Sequence, residues 1–112
     1  MLPLPHRLRL DNDIKRVLKS KSGAFDPVCG IKLTKNNLAV SRFAIVVSNK
    51  VSKSAVQRNA LRRQYRDIIH RSLAQIAPGF DVILLVSKPA IVSDYAEKEV
   101  KLRSAMKRAR LL

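Results

Sequence analysis

The residues best placed to do chemistry lie between Lys50 and His70. Four arginines, Arg58, Arg62, Arg63 and Arg66, fall within nine residues, and Asp67 is the one acid beside them. At about 100° per residue, Arg58, Arg62 and Arg66 make one i, i+4 row of a helix. Asn59, Arg63 and His70 widen that row on one side. Leu61, Tyr65, Ile68 and Ser72 lie about a third of a turn the other way, extended by Ile69 and Ile76. One face of this helix can pack on a core while the other presents guanidinium groups outward. A helix selected for stability alone would intersperse acids at i, i+4. Lys50 and Lys53 add charge just upstream, and Asn59 adds a donor and an acceptor suited to phosphate and sugar edges. The chemistry expected here is polyanion binding. Ser52 or Ser54 is the expected N-cap, its oxygen accepting from a free first-turn amide.

The other titratable residues point away from catalysis by the protein itself. The eight acids are Asp11, Asp13, Asp26, Asp67, Asp81, Asp94, Glu97 and Glu99. They make no pairing on an apolar background of the kind a two-metal phosphodiesterase needs. His6 is isolated in a segment expected to be flexible, and His70 is expected on the surface of the basic helix. Cys29 has no cysteine with which to form a disulfide or zinc site, and reads as a small buried strand residue in a cytoplasmic protein.

Net charge is +15 over 112 residues, with a sequence pI near 11.0. Such a field repels itself unless a partner neutralises it, and nucleic acid is the default partner. With 46% hydrophobic residues, the chain can bury one core in a single domain over residues 1–112. Aromatics are 4% and tryptophan is absent, so no wide base-stacking platform is evident. No apolar run reaches membrane-spanning length, and the first residues lack the apolar region of a signal peptide.

These side chains need elements to hold them. Met1 to Leu10 reads as extended. Asp11 or Asn12 caps a short helix with an Ile14, Val17, Leu18 stripe, which ends across Ser20 to Gly23. A strand runs from about Pro27 to Leu33, and Lys35-Asn36-Asn37 forms a turn. Leu38 to Ser48 forms the next strand, whose run Phe43-Ala44-Ile45-Val46-Val47 predicts a central position buried on both sides. Pro78-Gly79 stops the basic helix, and Asp81 leads the buried strand Val82-Ile83-Leu84-Leu85-Val86. Ser93 caps a last helix reaching about Arg108. On it Tyr95, Leu102, Ala105, Met106 and Ala109 face inward, while Lys98, Lys101, Arg103, Lys107 and Arg108 face out. The order is αβββαβα, an α/β (α+β) sandwich with helices packed on a central sheet. The default for its strand–helix–strand unit is a right-handed crossover.

The run Arg42-Phe43-Ala44-Ile45-Val46-Val47-Ser48-Asn49-Lys50-Val51, followed by Ala55-Val56-Gln57-Arg58-Asn59-Ala60-Leu61-Arg62-Arg63-Gln64-Tyr65-Arg66-Asp67, resembles the bacterial ribonuclease P protein subunit. The family pattern there is a strand ending in a Ser-Lys-Lys-like step, then Ala-Val-x-Arg-Asn-Arg and further basic residues. The similarity extends to the Asp11-to-Gly23 segment and to Gly79-Phe80-Asp81-Val82-Ile83. Ala60 departs from the family by replacing the last arginine of Arg-Asn-Arg, which removes one charge. Ile14 stands where phenylalanine is usual, which removes a stacking group. Asn49 and Ala44 replace a common lysine and glycine.

The resemblance implies a small subunit of an endoribonuclease holoenzyme, bound to a large catalytic RNA and cleaving the 5′ leader from precursor tRNA. It implies that Lys50, Lys53, Arg58, Asn59, Arg62, Arg63 and Arg66 meet RNA. It places Ile14, Arg16 and Leu18, with Arg42, at a cleft receiving the single-stranded leader. The crossover it implies is left-handed, as in the fold shared with a domain of a small-subunit ribosomal protein. Hydrolytic Mg2+ ions are then held mainly by the RNA, and no membrane or protein partner is required. Rival readings are a ribosomal-type structural RNA-binding protein, a metal-dependent nuclease acting alone, and a membrane-surface protein. Copurified RNA, cleavage by RNA-free protein and binding to anionic vesicles separate them.

Overall fold

The computed structural model describes residues 3–112. Its main elements are α1 (Asp11–Leu18), β1 (Gly23–Phe25), β2 (Cys29–Lys35), β3 (Arg42–Val46), α2 (Ala55–Ser72), β4 (Phe80–Val86) and α3 (Tyr95–Arg108). The order is therefore αβββαβα, as expected. The strands form one sheet in the order β1-β2-β4-β3. β2 runs antiparallel to both β1 and β4, whereas β3 lies parallel to β4 with Phe43 opposite Val82 and Ile45 opposite Leu84.

Side chains alternate across this sheet and so divide it into two faces. Cys29, Ile31, Leu33, Phe43, Val82, Leu84 and Val86 join Leu61, Tyr65, Ile68 and Ile69 of α2 and Leu102, Ala105 and Met106 of α3 in the main core. On the other face Val17 of α1 meets Leu8 and Ile83, with Ile14, Ala44 and Leu85 packed around them. Helices thus cover both sides, and each fully buried aliphatic contributes about 1.5–3 kcal/mol.

Several sequence expectations need correction. β3 is an edge strand, not a central one, and it is shorter than Leu38 to Ser48. Its apolar run is explained by α2 on one face and by the N-terminal segment along its free edge. Leu8 N–H donates to the Phe43 carbonyl at 2.9 Å, Arg7 bridges Phe43 in parallel, and Leu8 is buried. His6 Nδ1 meets the Ser41 carbonyl at 2.9 Å, so His6 is tied down rather than flexible. Of the expected extended segment, Met1 and Leu2 lie outside the described residues, and Leu4–His6 forms a 3-10 turn. The central strand is β4, buried through Asp81–Leu84.

The caps also differ. Asp11 begins α1 with Leu10 at the N-cap and no side-chain cap. Asp94, not Ser93, caps α3 by accepting from Glu97 N–H at 2.8 Å; Ser93 Oγ donates to the Pro89 carbonyl. Lys98 is buried, not outward. It shares the i, i+4, i+7 stripe of Leu102 and Ala105, so helical period overrides charge, and its amine donates to Gln64 Oε1 of α2 at 2.5 Å. Burial lowers its pKa. Cys29 is buried as expected, and burial first, then Asp26, pushes its thiol up to about 11.

Candidate nucleic-acid interface

The basic helix is held by a cap that also orders its first arginine. Ser54 accepts from Gln57 N–H at 3.2 Å, Ser52 Oγ donates to Gln57 Oε1, and Ser54 N–H donates back to Ser52 Oγ. Arg58 Nη1 donates to the Ser52 carbonyl at 2.9 Å, which fixes that guanidinium against the loop it follows. One turn on, Arg62 Nη2 donates to Asn59 Oδ1. Leu61, Tyr65, Ile68, Ile69 and Ser72 are buried on the opposite side, as the periodicity requires. Lys50, Lys53, Asn59, Arg63, Arg66 and His70 are exposed, and Arg58 and Arg62 are half-buried. The expected residues are therefore together on the outward side of one helix and the loop before it. Asp67, the one acid of the helix, turns toward α3, where its carboxylate accepts from Tyr95 OH, and forms no ion pair with these arginines among the described residues.

Arg66 also borders a groove of about 360 Å³ at the β3 edge, whose other walls are Arg7, Leu8, Arg9, Phe43, Ala44 and Ile45. The sequence reading missed Arg7 and Arg9 as members of this basic surface. The signal was available, because Arg7-Leu8-Arg9 alternates as an extended segment does when it buries every second residue.

A second arrangement lies between α1 and the sheet. Asp81 is fully buried at the start of β4. Arg42 donates to both of its oxygens, Arg16 Nη2 donates to Oδ2 at 2.5 Å, and Asn36 Nδ2 donates to Oδ1 at 3.0 Å. Asp13 accepts from Arg42 Nη2 at 3.3 Å. Burial pushes the Asp81 carboxyl up, but the hydrogen bonds from Arg42 and Asn36 and both guanidinium charges outweigh it and hold the pKa below the ordinary value. Arg42, half-buried, and Arg16, which remains exposed, thus both pair with this buried carboxylate and tie α1 to the sheet. Ile14 is half-buried beneath α1, whereas Leu18 stays 40% exposed at its far end, where Lys32 Nζ donates to the Leu18 carbonyl.

Among the described residues, no three of His, Cys, Asp and Glu are grouped so that they could hold a metal ion. No helix among them is long and apolar enough to cross a membrane.

The family model described as Ribonuclease P matches residues 2–110. The chain belongs to the ribonuclease P protein family. The ribonuclease P protein component of Pseudanabaena sp. is 34% identical over 113 residues, covering all of this chain and 97% of that protein. That of Thermotoga petrophila is 35% identical over 82 residues, covering 73% of this chain and 69% of that protein. The solved RNase P protein of Thermotoga maritima superposes with a TM-score of 0.83 at 31% identity, covering 91% of this chain and 98% of that one. A Staphylococcus aureus RNase P protein has a TM-score of 0.89 at 21% identity, over 96% of this chain and 91% of that one, and speaks for the fold. The protein is accordingly the protein subunit of ribonuclease P, an endoribonuclease holoenzyme that matures tRNA 5′ ends. Membership of the ribonuclease P family carries with it association with the ribonuclease P RNA.

Proposed function

We propose that the protein divides its RNA contacts between two faces. The outward side of α2 and the loop before it (Lys50, Lys53, Arg58, Asn59, Arg62, Arg63 and Arg66) binds the catalytic RNA. The sheet face beside α1, bordered by Ile14, Arg16, Leu18 and Arg42, receives the 5′ leader of precursor tRNA. The observation that carries this reading is the line of guanidinium groups on α2, with no ion pair to an acid among the described residues, opposite the face that buries Leu61, Tyr65, Ile68 and Ile69 in the core. Phosphates on a large RNA supply the missing counter-charge.

In this reading the protein does not cleave. It lowers repulsion between two polyanions and places the leader, while Mg2+ ions held mainly by the RNA supply the activated water. Asp81, the one fully buried acid among the described residues, supports that division, since it is committed to Arg16 and Arg42. The holoenzyme works in the cytoplasm. Reconstitution of the protein with ribonuclease P RNA and a leader-bearing precursor tRNA tests the reading. Tighter binding of precursor than of mature tRNA, dependent on the protein, is the expected result. Equal affinity for the two tRNAs would refute the leader assignment.

A further inference from the structure

On the α1 side of the sheet, α1 covers one end and leaves the other open. Its side chains reach Asp81, Ile83 and Ala44, and Lys32 closes its last turn. The next rung of the same face is Phe25, Gly30, Leu85 and Val46, paired across all four strands in that order. Val46 is 37% exposed and Phe25 is 61% exposed, so this rung faces outward beyond α1. Of the five aromatic residues, Phe25 is the exposed one; Phe43 and Tyr65 are in the core, and Phe80 and Tyr95 are half-buried.

The position of the Phe25 ring is built rather than incidental. It lies over Gly30, where a Cβ would come within 2.5 Å of ring Cδ1. Glycine at that point therefore lets the ring lie down on the sheet, leaving its other side to solvent. Cations flank it. Lys32 stands on the same face one rung away, opposite Gly23. Lys19 and Lys21 lie exposed on the segment entering β1. An open aromatic face among cations, continuous with an aliphatic strip, matches an unpaired nucleobase and its phosphates.

We propose that Phe25 is a base-stacking residue for the single-stranded leader, holding one leader nucleotide on the sheet just beyond the end of α1. This rests on the leader reading above and assigns it a specific contact.

The test uses the reconstituted holoenzyme with precursor tRNA and with mature tRNA, comparing wild type, Phe25→Ala, Phe25→Leu and Phe25→Trp. Loss of one stacked base is expected to weaken precursor binding about 5- to 100-fold in both Phe25→Ala and Phe25→Leu. Phe25→Trp should retain precursor affinity, and mature tRNA binding should stay unchanged in all four. An abasic nucleotide moved along the leader should weaken wild-type binding by a similar factor at one position, where the Leu variant becomes indifferent. If Phe25→Leu keeps full precursor affinity, apolar cover explains the ring and stacking is overturned. If no abasic position closes the gap between wild type and Phe25→Leu, the assignment is likewise overturned. If the wild type itself binds both tRNAs equally, the leader reading fails, and this inference with it.

Discussion

Arg42 grips Asp81 side-on, Nε to Oδ1 at 2.8 Å and Nη2 to Oδ2 at 2.7 Å, joining the first residue of β3 to the second of β4. Because these strands are parallel neighbours with Arg42 opposite Asp81, the pair sits within one sheet rung. Arg16 reaches the same carboxylate from α1. Removing the acid takes the buried carboxylate from both guanidiniums and leaves them only Asp13, so Asp81→Ala should cost about 3 kcal/mol of stability. Denaturant unfolding measures this; a loss below about 0.5 kcal/mol, the size of an ordinary surface change, would show that the pair is dispensable.

The same carboxylate sets an acid limb. Its folded pKa lies below its unfolded value near 3.9, so the stabilisation is complete above that value. It is lost as pH falls from there through the folded pKa. Asp81→Asn should therefore start less stable at neutral pH and lose less between pH 5 and pH 2 than wild type. Parallel acid-limb slopes in the two proteins would contradict this.

If α2 neutralises about five phosphates, the logarithm of its RNA affinity should fall against the logarithm of salt with a slope of roughly −3.5 to −4.5. Arg63→Ala, exposed and outside the core, should reduce that slope by slightly under one unit and leave the melting temperature unchanged. A slope near zero for wild type would remove phosphate contact as the basis of binding.

Ala60 is half-buried on the flank of the basic face, next to exposed Asn59. A longer side chain there can extend outward past Arg63, so Ala60→Arg should add a phosphate contact and steepen the slope by slightly under one unit. Should Ala60 instead pack tightly, the variant would lose about 1–3 kcal/mol with an unchanged slope.

Tyr65 is fully buried, and its hydroxyl has no hydrogen-bond partner among the described residues. Burial, then the neighbouring Cys29, raises its pKa. Tyr65→Phe should be neutral or stabilising by about 1 kcal/mol, read from thermal melting. Cys29, with its thiol at about 11, should react with thiol reagents only as the chain unfolds. Rapid labelling under native conditions would contradict its burial.

What could be read from the amino acids was what depends on near neighbours. The stripe of Leu61, Tyr65 and Ile68 and the Ser54 cap follow from residues within a turn or two, whereas α2 ends at Ser72 in a 3-10 turn, Leu73–Gln75, short of the expected stop at Pro78-Gly79. The edge position of β3 was not legible, because Phe43 to Val47 is equally apolar whether a strand or the Leu8 segment lies alongside. Asp81 read as a strand-leading acid; its partners stand 39 and 65 residues earlier. Lys98 was misplaced by trusting charge over period. Phe25 escaped notice because a three-residue strand leaves almost no alternation to recognise.

The pairing order of the sheet has a consequence during synthesis. β3 has β4 as its sheet neighbour, and Asp81 answers Arg16 and Arg42. A nascent chain that has emerged through Ser72 carries the whole cationic helix but lacks Phe80–Val86. Until those residues appear, β3 has no strand beside it, and Arg16 and Arg42 share Asp13 without the buried carboxylate that joins α1 to the sheet. Non-local contacts of this kind close last. The helix carrying the run Arg58, Arg62, Arg63 and Arg66 is therefore exposed beside the ribosome, itself rich in RNA, before the strand that secures the architecture exists.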